Sequence, residues 1–492
     1  MTLARPHVFG WNHTEGFMES KAVSHRLYAV KLPYTEIQSV QYECSDKYGH
    51  KSAPFYFYRV ECKSSYEPGS LVYTQIFLPE NWNGKFTALG NGGMAGSIHA
   101  LELLNYSRMG YVAAQTDMGT SGGRERGIRN PAVWRDFGWR STHGMAVLGK
   151  ALTEACYGRK PEYSYFIGSS TGGQQAFSLA QRFPADFDGI IAGVPANNRI
   201  ALHTYFLWNH NHLRCKDGRA LFGQEEISRI GDLAVQYFQN RGDGEKGDGF
   251  VSYPARDDKT VAEFVDFLRE SGFSEEQCQA LCAVYSGPED PASGKRIYNG
   301  MPIGSEIYSC GIKDCQNAES PYYYPFIWCF GADYNGYDFD FSKDYAILRE
   351  TLSRDMDANS VDLSAFRACG GRMIVYSGSA DPCVPYPDAE DYCNRLFAQN
   401  GGYGKTAEFF RYFLFPGRDH GCGGKGANRE WAGTEGGSLL DLLRLWCEKS
   451  VAPESVTAAR VVDGVTVFTR ILYPYGSERN PAVPTVNCCE IF

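Results

Sequence analysis

The chain carries no surplus of basic residues: 48 Lys and Arg stand against 57 Asp and Glu, a formal net charge of −9. A nucleic-acid surface shows as a basic patch or stripe, so no such partner is expected. No run approaches the roughly 18 apolar residues of a membrane-spanning helix, and no membrane association is expected. The N-terminus, MTLARPHVFGWNHTEG, lacks the apolar core of a secretory signal. Sixteen cysteines are scattered without one C-x-x-C pair, whereas zinc frameworks need tight pairs at set spacing. Internal repeats and low-complexity tracts are absent too. What remains is 492 residues with 43% hydrophobic, 21% charged and 14% aromatic side chains and 54 glycines. That composition describes a folded protein able to bury a sizeable core, as one elaborated domain or several.

Short β-prone runs bounded by Gly, Pro or Asn occur at 71–79, 85–89, 111–117, 163–167 and 187–196. Between the third and fourth, residues 139–156 place Met145, Val147, Leu148 and Leu152 on a helical face, and a second helical pattern follows Ile167. Strands alternating with helices predict an α/β fold with a mostly parallel sheet covered on both faces. After about residue 200 the pattern becomes irregular and rich in Gly and Asp, with a helical stretch near 257–285 and an aromatic run at 322–341. Strand-like segments return at 372–378 and 408–417, with a helix at 438–450. The simplest organisation is a discontinuous core, 1–199 and 350–492, interrupted by an inserted domain, 200–349.

The turn after strand 163–167 reads Gly168-Ser169-Ser170-Thr171-Gly172, a G-x-S-x-G pentapeptide between a strand and a helix. Small residues flank a nucleophile elbow because the turn is too tight for large ones. A serine nucleophile needs a base, and the base needs an orienting carboxylate. In the α/β-hydrolase order the acid and then the histidine follow the serine. Of ten histidines only His420 lies after His212, in the Gly-rich loop FPGRDHGCGG. Asp381, in RMIVYSGSADPCVP, ends a strand between the two. Asp391 is expected on a following helix, and Asp419 adjoins the histidine too closely in sequence to meet its Nδ1 well.

Acyl transfer also needs donors for the developing oxyanion. The N–H of Thr171 follows the nucleophile, and GNGGMAG (90–96) offers the second donor at Gly93, with Gly92 as the alternative. A separate segment, NRGDGEKGDGF (240–250), could surround Ca²⁺ with Asn240, Asp243, Glu245, Asp248 and the Phe250 carbonyl, or be a solvated acidic turn. The aromatics Tyr322, Tyr323, Tyr324, Trp328, Phe330 and Tyr334 could clamp a planar acyl group, or form the insertion's own core.

These motifs resemble the tannase and feruloyl esterase family, which includes hydrolases of mono-(2-hydroxyethyl) terephthalate. The similar blocks are LPENWNGKFTALGNGGMAG (78–96), DFGWRSTHGMAVLGKAL (136–152), GSSTGGQQAF (168–177), FDGIIAGVPANN (187–198), DLSAFRACGGRMIVYSGSADPCVP (362–385), FPGRDHGCGG (415–424) and VAPESVTAAR (451–460). The resemblance implies an α/β-hydrolase core, an inserted lid domain, a structural Ca²⁺ in the lid and a triad of Ser170, Asp381 and His420. No cofactor is implied for the chemistry itself. The family also has cysteines just before the nucleophile and just after the histidine, joined as a tether; here Ser169 and Gly421 stand there, with a cysteine displaced to Cys422. Gln239 and Tyr473 replace two further family cysteines, and the calcium-like loop has one extra residue between Asp243 and Asp248.

The expected function is a serine carboxylic-ester hydrolase acting on small esters of phenolic aromatic acids, gallate or hydroxycinnamate. Rivals are an acyltransferase, an esterase of other aryl or alkyl esters, and a non-catalytic binder of phenolic ligands. The missing tether cysteines and the N-terminus predict a cytoplasmic protein whose cysteines are mostly buried thiols. Packing or a hydrogen bond of Ser169 is expected to do the work of the tether.

Overall fold

The structure is a computed structural model and describes residues 13–49, 53–215, 217–241, 247–254, 257–317, 323–431 and 437–481. Its strands in chain order are β1 (Thr35–Cys44), β2 (Tyr56–Ser64), β3 (Val72–Pro79), β4 (Lys85–Leu89), β5 (Val112–Thr116), β6 (Tyr163–Ser169), β7 (Gly189–Gly193), β8 (Glu289–Asp290), β9 (Lys295–Arg296), β10 (Arg372–Gly378), β11 (Phe410–Phe415), β12 (Arg429–Trp431), β13 (Val456–Val462) and β14 (Val465–Leu472). Nine of them form one sheet in the order β1-β2-β3-β5-β4-β6-β7-β10-β11. From β5 to β11 the pairing is parallel, and β1, β2 and β3 extend the sheet antiparallel. Every residue of β5, β7 and β11 is buried, as expected of strands covered on both faces.

Side chains alternate between two cores. Phe166, Met373 and Val375 meet the helices Ser141–Tyr157, Thr171–Arg182 and Tyr386–Asn400 on one face. Tyr165, Ile374 and Tyr376 meet Leu440, Leu443 and Trp446 of the helix Leu439–Lys449 on the other. These are the layers of an α/β-hydrolase fold. Two parts of the architecture were not expected from the sequence. One is the β1–β2 extension, where TEIQSVQYEC is half exposed and mixes polar with apolar residues. The other is a second sheet, β12–β13–β14, near the C-terminus.

Between β7 and β10 the chain leaves the sheet for a mainly helical insertion carrying the β8–β9 hairpin. It has its own apolar cluster around Phe238, Phe264 and Leu281. A further cluster joins Ile200, Leu207 and Trp328 of the insertion to Met118, Trp134 and Phe137 of the core. The insertion is thus seated on the core by shared packing. Its helix Lys343–Met356 runs across the boundary expected at 349/350. Among the described residues no helix is long and apolar enough to cross a membrane.

Where β4 and β6 end, backbone meets backbone. A Cβ added at Gly90 would lie 2.6 Å from Gly172 Cα and 2.8 Å from Gly168 Cα. Gly90→Ala is therefore expected to lower the free energy of unfolding by about 1–3 kcal/mol, the usual cost of overpacking. Urea denaturation of the two proteins checks this.

Candidate active site

Strand β6 delivers Ser170 at the head of the helix Thr171–Arg182, with φ 60° and ψ −116°. An L-residue holds such a conformation only where its surroundings enforce it. Here the Ser170 N–H donates to Gly193 O at 2.9 Å, while its carbonyl accepts from Gln174 N and Ala196 N, each at 3.1 Å. The glycines of the pentapeptide have a visible purpose: a Cβ at Gly168 would sit 2.5 Å from Gly172 O. The side chain of Ser170 is thereby raised above the carboxyl ends of the parallel strands.

The loop after β10 carries Asp381, which is fully buried. Its Oδ1 accepts from the N–H groups of Cys383 (2.8 Å) and Val384 (3.0 Å), leaving Oδ2 to accept from His420 Nδ1 at 2.8 Å. His420 stands in the loop after β11, the next strand in the sheet. Burial of the imidazole works against its charged form, but the charge and hydrogen bond of Asp381 outweigh it and raise the pKa from 6.5 to about 9. No hydrogen bond joins Ser170 to His420 in this structure; such contacts commonly tighten only when substrate is bound. Asp391 lies on the helix Tyr386–Asn400 and accepts from Asn299, away from the imidazole.

The loop after β4 is tied to the helix that starts at Thr171. Gly172 N donates to Asn91 O at 2.7 Å, Asn91 N donates to Gln175 Oε1 at 2.8 Å, and the Thr171 hydroxyl donates to Gly93 O. Gly93 is exposed at φ +56°, where only glycine sits without strain, and a turn closes from Ala95 N to Gly92 O. Among the described residues no protein acceptor takes the N–H of Thr171, Gly93 or Met94. Both loops named from the sequence are therefore adjacent and have donors to spare.

The family model for tannase and feruloyl esterase matches residues 61–481. The chain belongs to that family. It is a carboxylic ester hydrolase. It is 28% identical over 415 residues to feruloyl esterase C of Talaromyces stipitatus, covering 80% of this chain and 76% of that protein. It is 29% identical over 416 residues to a probable feruloyl esterase B of Aspergillus clavatus, covering 80% and 77%. Among solved structures, feruloyl esterase B from Aspergillus oryzae superposes with a TM-score of 0.79 at 22% identity, over 93% of this chain and 96% of that one. Tannin acyl hydrolase from Aspergillus niger gives 0.72 at 19% identity, over 93% and 91%. At these identities the two structures speak for the fold.

The expected cytoplasmic location is contradicted by these relatives, which are fungal feruloyl esterases and a tannase. That expectation rests partly on the missing tether cysteines, for which the structure has a substitute needing no reducing compartment. Ser169 Oγ lies 2.9 Å from the hydroxyl of Tyr376 on β10. The Arg418 guanidinium sits 4.8 Å above that tyrosine ring and pairs with Glu430 at 3.0 Å. Elbow and histidine loop are thus joined through Ser169, Tyr376 and Arg418. The fourteen described cysteines are thiols, but only Cys62, Cys156, Cys278, Cys310, Cys383 and Cys393 are buried, fewer than expected.

Of the proposed calcium ligands, Asp243 and Glu245 lie outside the described residues. Asn240 is exposed near the end of the helix Gln224–Arg241, and Phe250 is buried. Asp248 gives its carboxylate to Arg470 Nη2 (2.6 Å) and Ser252 Oγ (2.9 Å). The Arg470 guanidinium is stacked over the rings of Phe468 and Phe250, 4.8 and 5.5 Å from their centroids. A cation already faces Asp248, and among the described residues no group of three or more His, Cys, Asp or Glu side chains could hold a metal. The described members of the set, Asn240, Asp248 and Phe250, do not by themselves make the cage of oxygens that calcium takes, and nothing below is routed through a metal.

The aromatic run separates into two uses. Trp328 is fully buried, donates from its indole N–H to Arg124 O at 2.6 Å and packs edge-on against Phe137, so it belongs to the seam between insertion and core. Tyr324 is buried beside it, and Tyr322 lies outside the described residues. Tyr334 lines a cavity of about 770 Å³ with Tyr323, Phe206, Ile128, His210 and Asn335. Phe330 stacks on Tyr334 at 4.3 Å without lining that cavity. Phe206 and His210 come from the helix Arg199–His212, which is buried along most of its length, and no sequence motif marks either residue.

Two outcomes are expected. Catalysis by His420 needs its neutral form, so kcat/KM should rise with pH through a limb well alkaline of 6.5. Asp381→Asn should move the limb of the residual activity to lower pH, because burial of the imidazole is then opposed only by the weaker pull of Cys310 and Asp419, and lower kcat by about 10⁴-fold. A pH–rate series on both proteins reads this. Arg470→Met should lower unfolding stability by about 1–3 kcal/mol, since it leaves the Asp248 carboxylate without its cation; chemical denaturation measures it.

Proposed function

We propose that this protein hydrolyses esters of phenolic aromatic acids through an acyl-enzyme on Ser170. The observation that carries the reading is the Asp381–His420 hydrogen bond of 2.8 Å on loops beside the Ser170 elbow, with the second carboxylate oxygen of Asp381 pinned by two N–H groups. Asp381 fixes His420 in the tautomer that keeps Nε2 free to accept a proton, and stabilises the imidazolium once it forms.

In the first half-reaction Ser170 Oγ attacks the ester carbonyl while His420 takes its proton. The oxyanion is met by the N–H groups of Thr171 and Gly93. His420 then protonates the departing alcohol, leaving the acyl group on Ser170. Water repeats the sequence, releasing the acid and restoring the serine. The spare N–H groups beside Ser170 support this role, since a donor aimed at the oxyanion is worth about 3–4 kcal/mol. The aromatic substrate class is supported by the family and by the names of the relatives. Transfer of the acyl group to an alcohol instead of water uses the same residues and would show as ester exchange when alcohol is added.

Methyl gallate, methyl ferulate and p-nitrophenyl acetate offered to the native protein and to Ser170→Ala test the reading. Turnover of gallate or ferulate, lowered at least about 10⁴-fold by the substitution, is expected. Turnover of p-nitrophenyl acetate alone would contradict the phenolic class. Turnover that survives Ser170→Ala would contradict the nucleophile.

A further inference from the structure

Arg199 takes part in none of these steps, yet it is a cation only 3% exposed beside the nucleophile. It opens the helix Arg199–His212, the first of the insertion, and its side chain turns back into the core. Its Nη2 donates to Thr171 Oγ1 at 3.0 Å and to Gln174 Oε1 at 2.6 Å, and its Nε donates to the same Gln174 oxygen at 3.2 Å. The guanidinium lies 5.4 Å from the centre of the Phe137 ring. Removing a cation from water costs several kcal/mol unless it is well bonded. An arginine placed here only to fill space would be a poor choice.

The bonds of Thr171 give it a use. A hydroxyl has one proton and two lone pairs. With Arg199 donating to the Thr171 oxygen, the hydroxyl proton is left pointing at the Gly93 carbonyl, which it meets. Gly93 sits at φ +56° in an exposed turn with open space around its α-carbon, so packing does little to hold it. Its carbonyl is the hold that the helix after Ser170 has on the turn, beside the Met94 carbonyl, which accepts from the Thr120 hydroxyl at 2.7 Å.

We propose that Arg199 is a positioning residue for the oxyanion hole: its guanidinium orients the Thr171 hydroxyl, and that hydroxyl holds the Gly93 turn in register with the Thr171 N–H. The inference rests on the Ser170 reading above and deepens it. It also makes the first helix of the insertion a support of the catalytic loop, so that the insertion acts on the chemistry as well as on binding.

The test compares Arg199→Met, Thr171→Val, Thr171→Ser and the double variant Thr171→Val/Arg199→Met by two readouts. Hydrogen–deuterium exchange of residues 90–96 follows the turn directly, without any substrate. Arg199→Met and Thr171→Val should both speed it, while Thr171→Ser, which keeps the hydroxyl, should retain the native protection. Steady-state kinetics on the best ester should show kcat lowered about 10²-fold by Arg199→Met, as for a misplaced catalytic group, with KM little changed. The double variant should lose no more than the worse single one, because the residues form one linkage. If Arg199→Met does not fold, Thr171→Val read against Thr171→Ser gives the same contrast. Unchanged exchange at 90–96, or losses that simply add, overturns the proposal. Native protein that turns over no ester while Arg199→Met still loosens the turn contradicts the proposed function and supports the Arg199 linkage.

Discussion

Ser170 is held at a positive φ, a conformation costing about 1–3 kcal/mol for a residue with a side chain. The strain persists because three neighbours enforce it. Strand β7 takes the Ser170 N–H, the N–H groups of Gln174 and Ala196 converge on its carbonyl, and Gly90, Gly168 and Gly172 let β4, β6 and the following helix approach at backbone distance. A side chain at Gly90 or Gly172 would push the elbow from the loop after β4, and one at Gly168 would collide with Gly172 inside the elbow. The parallel order β4-β6-β7-β10-β11 then sets the loops bearing Ser170, Asp381 and His420 along one edge of the sheet. Geometry fixed by backbone packing in this way costs nothing to reorganise when the transition state forms.

Much of the centre was legible in the sequence. The strands leading to Ser170 and Asp381 are short, apolar and closed by glycine or small residues, so their position and period are visible without a structure. His420 could be found by order alone, since no other histidine follows the serine at a useful distance. The outlying parts were not legible for identifiable reasons. β1 mixes polar and apolar residues on a half-exposed edge, and β14 is mostly exposed. Aromatic residues in a row could not be divided between core and cavity, because Trp328 and Tyr334 differ in their neighbours across the chain rather than along it. Arg199, Tyr376 and Arg418 act through contacts with residues far away in sequence, and nothing in their local sequence announces that.

Two arginines stacked on aromatic rings stand near the places where the family resemblance implies a disulfide tether and a calcium loop. Arg418 lies on Tyr376, which reaches Ser169, and Arg470 lies on Phe468 and Phe250 while pairing with Asp248. Phe250 also fills the space above Gly417, where an added Cβ would come within 2.1 Å of the ring. Both arginines therefore bear on the loop that carries His420. A guanidinium suits this position because its flat face packs on a ring while its edge still donates to a carboxylate.

The central claim is that Ser170 carries the acyl group between two half-reactions. Its most direct test is intact-protein mass spectrometry of the enzyme quenched during turnover of an aryl ester, followed by peptide mapping. A mass increase equal to one acyl group is expected, located on the peptide containing Ser170 and lost as product acid appears. An acyl group found on another residue, or steady turnover with no acylated protein and no burst of released alcohol, would contradict it.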